Sequence, residues 1–172
     1  MVVPKRLIVD ACIAFASGSR ESSHPTPLNC RKFLESMREL RYYIVFTPAL
    51  AAEWRKHQKR FASAWRVSMH ARKLVYTIDL GPDVNLRRRI AKALAQDEII
   101  NIVMKDAHLL EAAFATDNRI VSIETKCFMH LKKIIGDVHE LAELALINPD
   151  TTIQRAIEWL ENGAPVDANT TI

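Results

Sequence analysis

Glycine is scarce in this chain, which has 4 in 172 residues. A phosphate-binding loop or a dinucleotide-binding turn needs several glycines at fixed spacing, and neither motif is present. The sequence also lacks the G-x-S-x-G turn that presents the nucleophile of α/β hydrolases. These absences argue against three common classes of α/β enzyme.

Cysteine is also rare. The chain contains Cys12, Cys30 and Cys127, which is an odd number, and no two of them have C-x-x-C spacing. This pattern argues against a disulfide framework and against a zinc site. We expect three free, buried thiols. A nucleophilic role for Cys12 is a minor alternative, since no histidine is placed to activate it.

Long hydrophobic runs are absent as well. No stretch approaches the roughly 20 apolar residues that cross a bilayer. The first residues, MVVPKRLIVDA, become charged too early to resemble a signal peptide. We therefore expect a cytoplasmic protein without a membrane partner.

Charge is distributed unevenly along the chain. Residues 1–92 carry 18 Lys and Arg against 7 Asp and Glu, whereas residues 93–172 carry 6 against 13. The positive charge is concentrated in two stretches that look helical, 54–73 and 86–94. Such stretches are either ordinary solvated helix faces or a surface for a phosphate backbone, and the sequence leaves both alternatives open. The residues predicted to contact nucleic acid are Arg55, Lys56, Lys59, Arg60, Arg87, Arg88 and Arg89.

Strand-like and helix-like segments alternate. Buried strands are predicted at 6–10, 42–47, 74–78 and 119–123, with a weaker one at 132–136. Helices are predicted at 28–40, 48–72 with a break, 85–94, 97–115, 126–131, 138–146 and 151–161, and a loop at 17–27. This alternation predicts a three-layer α/β/α sandwich with a mainly parallel sheet. We expect one domain over residues 1–146 and a helical extension, 147–172, that packs on it.

Carboxylates follow two of the predicted strands. Asp10 ends the run RLIVD and Glu124 ends RIVSIE. Parallel strands bring their carboxyl ends to one edge of a sheet, where α/β folds bind ligands. Asp10 has an equally good alternative role as the N-cap of the helix that follows it.

Two further acidic residues lie on predicted helices. Glu53 lies in the second turn of the helix after the second strand, and a solvent-facing position is the alternative. Asp106 shares a helix face with Leu109 and Leu110, so its carboxylate points inward and needs a cation, a partner or water. Asp117 is a weaker candidate, because an aspartate in a turn is the simpler interpretation.

Four carboxylates in one crevice repel one another unless a cation neutralises them. Oxygen ligands favour hard ions, so Mg²⁺ or Mn²⁺ is the expected cofactor. An acidic metal pocket beside basic helices is typical of phosphodiester hydrolysis.

One ordered set of residues runs along the chain: Asp10, Glu53, Asp106 with Leu109 and Ala112, and then I-V-S-x-E ending at Glu124. This set resembles the PIN-domain ribonucleases, which include the VapC-type toxins. The resemblance spans roughly residues 6–135. It implies a metal-dependent endoribonuclease in which Asp10, Asp106 and Glu124 bind metal and Glu53 completes the catalytic pocket. It also implies that the Ser122 hydroxyl supports the acidic cluster.

Two positions depart from the family pattern. Cys12 stands where Ser or Thr is common, and Glu124 replaces an aspartate, which moves the carboxylate by about 1.5 Å. An RNA-binding or scaffolding protein with an impaired pocket is therefore the alternative function, and a DNA nuclease is a third. Expected partners are RNA, with an antitoxin protein and a second copy of the chain as further candidates.

Overall fold

The computed structural model describes residues 5–18, 23–167 and 170. Within these residues the strands are β1 (Arg6–Val9), β2 (Tyr43–Phe46), β3 (Val75–Thr77), β4 (Arg119–Val121) and β5 (Ala145–Ile147). The α-helices are α1 (Ala11–Ala16), α2 (Pro25–Glu39), α3 (Pro48–His57), α4 (Arg60–Ala71), α5 (Val84–Leu94), α6 (Asp97–Phe114), α7 (Lys126–Lys132) and α8 (Ile153–Glu161). A 3₁₀ helix spans His139–Glu143.

The five strands form one parallel sheet in the order β3-β2-β1-β4-β5. This confirms the predicted three-layer α/β/α sandwich. The chain moves outward from β1 to β2 and β3, and then returns to β4 on the other side of β1. The point between β1 and β4 is therefore a topological switch point, which is where open α/β sheets form a ligand crevice at the carboxyl ends of their strands.

The central strand is buried on both faces. Leu7, Ile8 and Val9 are inaccessible to solvent, as expected for a parallel strand covered by helices on both sides.

Local sequence also sets where helices begin: the Thr47 side chain accepts a hydrogen bond from the amide of Leu50 at the start of α3. Pro48 follows at the first helical position, where a missing N–H costs nothing.

The weak strand prediction at 132–136 is wrong. The chain after α7 forms turns there, and Ile134 packs into the core from a turn. The fifth strand is Ala145–Ile147, which lies mostly within the segment 138–146 that was predicted to be a helix. That segment is rich in Glu, Ala and Leu, which favour helices locally, but pairing with β4 decides its conformation.

The helical predictions need smaller changes. The break expected within 48–72 falls between α3 and α4 at Gln58 and Lys59, and the apolar run at 99–104 lies inside α6, as predicted. Helix α2 begins at Pro25, inside the segment 17–27 that was predicted to be a loop. Residues 19–22 of that segment lie outside the described residues.

The C-terminal segment contacts both the sheet and the helices. The Tyr42 hydroxyl donates a hydrogen bond to the carbonyl of Leu160 at 2.6 Å, and the amide of Leu146 donates to Thr170 at 2.8 Å. Helix α8 also packs against α2. Among the described residues, no helix combines the length and hydrophobicity needed to span a bilayer.

Candidate functional site

Asp10 is held at the end of β1 by hydrogen bonds through its amide and through both carboxylate oxygens. Its amide donates to the carbonyl of Val121 at 3.0 Å, which extends the pairing of β1 with β4. The Oδ1 atom accepts from the amide of Cys12 at 3.2 Å and so caps α1. The Oδ2 atom accepts from the Ser122 hydroxyl at 2.7 Å. The capping role and the position in the crevice are therefore compatible, because each uses a different oxygen.

Ser122 links two of the candidate acids. Its hydroxyl is completely buried, donates to Asp10 and accepts from the amide of Glu124 at 3.0 Å. The Ser122 amide donates to the carbonyl of Ile147 on β5. The loop that carries Glu124 is thus fixed to the carboxylate of Asp10 through one hydroxyl group.

Glu53 is positioned by its neighbour on α3. The Trp54 indole is fully buried and donates from Nε1 to the carbonyl of Val9 at 2.8 Å, directly before Asp10. This bond ties the middle of α3 to the end of β1. The side chain of Glu53, 42% exposed, consequently projects at the same edge of the sheet as Asp10.

Asp106 lies near the middle of α6, which packs against both β1 and β4. Burial first, and then the charges of Asp10, Glu53 and Glu124, raise the pKa of its carboxyl group from 3.8 to about 6, while His108 opposes the shift. Electrostatic coupling of this kind requires short separations. Asp10, Glu53 and Glu124 therefore lie within electrostatic range of Asp106.

His108 is a member of this cluster that sequence reasoning did not select. Its Nε2 atom lies 3.2 Å from Oε2 of Glu53, and only 12% of its side chain is exposed. The Nδ1 atom lies 3.1 Å from the carbonyl oxygen of Lys105. The contact joins α3 to α6, and no local sequence pattern signals a pairing between residues so far apart in the chain.

Cys12 occupies the position of the missing hydroxyl residue. Its thiol donates to Oδ2 of Asp10 at 3.1 Å and lies 3.4 Å from the Ser122 hydroxyl. Burial and the neighbouring Asp10 charge raise the pKa of the Cys12 thiol, so the sulfur stays protonated at neutral pH. A protonated thiol is a poor nucleophile, and Cys12 acts here as a hydrogen-bond donor.

The donor set fits a hard divalent cation. Its oxygens are carboxylates, and burial together with the neighbouring negative charges raises the pKa of Asp106 to about 6. Among the described residues, no three His, Cys, Asp or Glu side chains form a group that could hold a metal ion. Mg²⁺ commonly binds proteins through one or two carboxylates and completes its octahedron with water, so its chemistry is compatible with this looser arrangement.

The predicted nucleic-acid contacts divide into two groups. Arg55, Lys56 and Arg60 are exposed on α3 and α4, and Lys59 places its ammonium 4.7 Å from the centre of the Phe15 ring.

On α5, by contrast, ion pairs within the chain use two of the three predicted arginines. Arg87 forms two hydrogen bonds with the carboxylate of Glu111, at 2.6 and 2.9 Å, and Arg89 pairs with Glu140. Arg88 is exposed.

Asp117 lies in a turn at the other end of β1. Its carboxylate accepts hydrogen bonds from the amide and guanidinium of Arg6, at 2.7 and 2.8 Å. The guanidinium hydrogen bonds help to lower the pKa of Asp117. This contact agrees with the interpretation of Asp117 as a turn residue rather than a pocket ligand.

No protein-family model matches this chain, and no curated protein sequence matches it. A fold of this class hosts many unrelated activities. Function is therefore inferred from the chemistry of the site itself.

Proposed function

We propose that the protein is a PIN-type endoribonuclease that hydrolyses RNA phosphodiester bonds with Mg²⁺ or Mn²⁺. The observation that supports the proposal is that Asp10 and Glu124 follow neighbouring strands at the switch point of the sheet, and that both, with Glu53, act electrostatically on Asp106. RNA as the substrate, and a role as the toxin of a toxin-antitoxin pair, come from the resemblance of this ordered acidic set to PIN-domain ribonucleases.

Asp10, Asp106 and Glu124 would hold the ion, one or two of them directly and the rest through water. Its chemistry in such sites is to activate a water molecule and to stabilise the leaving oxygen. The protein supplies rigidity: Ser122 and the Cys12 thiol fix the direction of the Asp10 carboxylate. Preorganised charges of this kind lower a barrier without rearranging during the reaction.

The remaining side chains would orient the substrate. Glu53 lies 3.2 Å from His108, so the imidazole would restrict the position of this carboxylate at the rim of the pocket. The exposed cations Arg55, Lys56 and Arg60 would bind the backbone phosphates that flank the cleaved bond. Arg87 and Arg89 are left out of this set because Glu111 and Glu140 engage them.

An RNA-binding protein without catalysis is the second candidate. The observation that favours it is the position of Glu124, which is exposed on a loop and is one methylene longer than aspartate. A carboxylate displaced by about 1.5 Å can lower a rate about a hundredfold. Binding of RNA without cleavage is the result that separates the two candidates.

The test is cleavage of a mixed RNA pool by wild type, Asp10→Asn and the control Asp137→Asn, in Mn²⁺ and in EDTA. Asp137 is exposed and lies in the turn after α7. We expect wild type and Asp137→Asn to cleave in Mn²⁺, and no protein to cleave in EDTA. Cleavage that persists in Asp10→Asn would overturn the proposal, and so would an absence of cleavage by wild type with every metal tested.

A further inference from the structure

A second cavity lies beside the ends of β2 and β3, on the other side of α3 from the acidic crevice. Its volume is about 370 Å³, within the range of small-ligand sites, which is roughly 300–1,000 Å³. Its walls come from β3 and the residues after it, from the end of β2, and from helices α3 and α4. Two residues advance a helix by about 200°, so Glu53 and Arg55 face opposite sides of α3. The helix is therefore a wall shared by both sites.

Three basic side chains line this cavity. Arg55 comes from α3, while Arg66 and His70 come from one face of α4, four residues apart. Within the described part of the chain, no ion pair engages any of the three, although the acidic residue Asp79 also lines the cavity. This arrangement differs from that of Arg87 and Arg89, whose charges are used within the protein. Unpaired guanidinium groups around a concavity favour binding of a phosphate.

Part of the lining is apolar. Phe46, Val75 and Ile78 form much of it, and Phe46 is held edge-on against Trp54 with ring centres 5.4 Å apart. The combination of a fixed aromatic, aliphatic side chains and free cations suits a ligand with a flat apolar part and an anionic part. A nucleotide has this chemistry.

We infer that this cavity binds one nucleotide of the RNA strand that crosses the acidic crevice. The inference rests on the proposed function, which it deepens by assigning a second contact to the substrate. β3 lies two strand spacings from β1, about 10 Å, so the bound nucleotide lies near the cleaved bond but not at it. The substrate is therefore a single strand, because a nucleotide can enter the cavity only when its base is unpaired.

The test measures binding in EDTA, so that it does not depend on cleavage. The probes are a fluorescent single-stranded octamer of uridine and free uridine 5′-monophosphate, each titrated at several salt concentrations. The variants are Arg66→Ala and His70→Ala. The matched control is Arg72→Ala, which removes an exposed arginine at the end of the same helix, outside the cavity lining.

We expect Arg66→Ala to weaken binding of the octamer about tenfold and to reduce the slope of log affinity against log salt by about 0.7, the value for one phosphate contact on a single strand. We expect His70→Ala to weaken it about threefold at pH 6 and Arg72→Ala to change it less than twofold. Unchanged thermal unfolding of each variant shows that the fold is retained.

Three results would overturn the inference. The first is an equal effect of Arg66→Ala and Arg72→Ala on the octamer. The second is that His70→Ala leaves octamer binding unchanged at pH 6. The third is tight binding of uridine 5′-monophosphate that Arg66→Ala abolishes while octamer binding is unchanged, because the cavity would then serve a free nucleotide. Failure of the proposed function gives a different pattern: wild type does not cleave, yet the octamer arm behaves as expected.

Discussion

Asp106 lies half-buried among three other carboxylates, and burial and those charges raise its pKa to about 6. A carboxyl group whose pKa is higher in the folded than in the unfolded chain binds more protons when folded. Protonated Asp106 is therefore compatible with the fold. The contribution that protonated Asp106 makes to the free energy of unfolding is present below pH 4 and is lost as the pH rises through about 6.

The first prediction follows from this sign. In EDTA at pH 7.5 we expect Asp106→Asn to raise the free energy of unfolding by about 1 kcal/mol, less than the full value of such a pKa shift because the group is partly exposed. The difference from wild type should disappear below pH 4. Urea denaturation at several pH values measures it. A variant less stable than wild type at pH 7.5 would contradict the assignment of Asp106 to a crowded acidic pocket.

Glu124 gives a second prediction at this scale. If the site is active with glutamate, shortening the side chain withdraws the carboxylate by about 1.5 Å, and we expect Glu124→Asp to lower kcat by about 10- to 100-fold. Steady-state cleavage of an RNA substrate measures this. A rise in kcat would instead show that the native residue impairs the pocket and would favour the RNA-binding alternative.

At the scale of elements, α3 is fixed to β1 by one indole. Trp54 Nε1 donates to the carbonyl of Val9, and the bond sets the distance between Glu53 and Asp10. A second buried indole, Trp65, makes an equivalent bond to the carbonyl of Leu34 on α2, at 2.7 Å. The two rings lie 6.0 Å apart, so the pair compares two indole hydrogen bonds within one cluster, of which only that of Trp54 reaches β1.

Replacing each tryptophan by phenylalanine separates stability from positioning. We expect Trp54→Phe and Trp65→Phe each to lower the free energy of unfolding by about 1–3 kcal/mol, because each variant loses a buried hydrogen bond and part of a buried ring. Only Trp54→Phe should also lower kcat, by about tenfold or more, at temperatures where both variants are folded. Equal kcat values in the two variants would show that the bond to Val9 does not position the site.

Helix α5 is held to α6 by the bidentate pair of Arg87 with Glu111, whose side chain is only 4% exposed. We expect Arg87→Ala to cost about 2–3 kcal/mol of stability, below the value for a fully buried pair because Arg87 is partly exposed. Arg88→Ala should leave stability unchanged and lower RNA affinity modestly. Urea denaturation and RNA titration of both variants measure these effects. If Arg87→Ala reduced RNA affinity without loss of stability, Arg87 would be an RNA contact and not a structural residue.

At the scale of the whole molecule, the sequence predicts the parallel sandwich because four strands are continuous apolar runs with long helical segments between them. The same pattern places Asp10 and Glu124 after strands that prove to be neighbours. The fifth strand was missed because Ala145–Ile147 has only three residues and follows a Glu- and Ala-rich segment. Pairing with β4 decides the conformation of this segment, and the local composition gives no information about that pairing.

The contacts that distinguish one cation from another were also beyond sequence reasoning. Arg87 and Arg55 look alike in the chain, yet Glu111 engages the first, and the second lines a cavity. The approach of His108 to Glu53 likewise depends on how α6 crosses α3. Such details follow from packing between residues that are distant in sequence.

The most direct measurement is calorimetric titration of Mn²⁺ into metal-free wild type, Asp106→Asn and the control Asp137→Asn at pH 7.5. The proposal predicts saturable binding by wild type and by the control, and an affinity at least tenfold lower for Asp106→Asn, because the crowded carboxylate is then absent. It also predicts that bound Mn²⁺ removes the stability difference between wild type and Asp106→Asn. An absence of saturable binding by wild type, or equal affinity in all three proteins, would contradict a divalent-cation site at the switch point of the sheet.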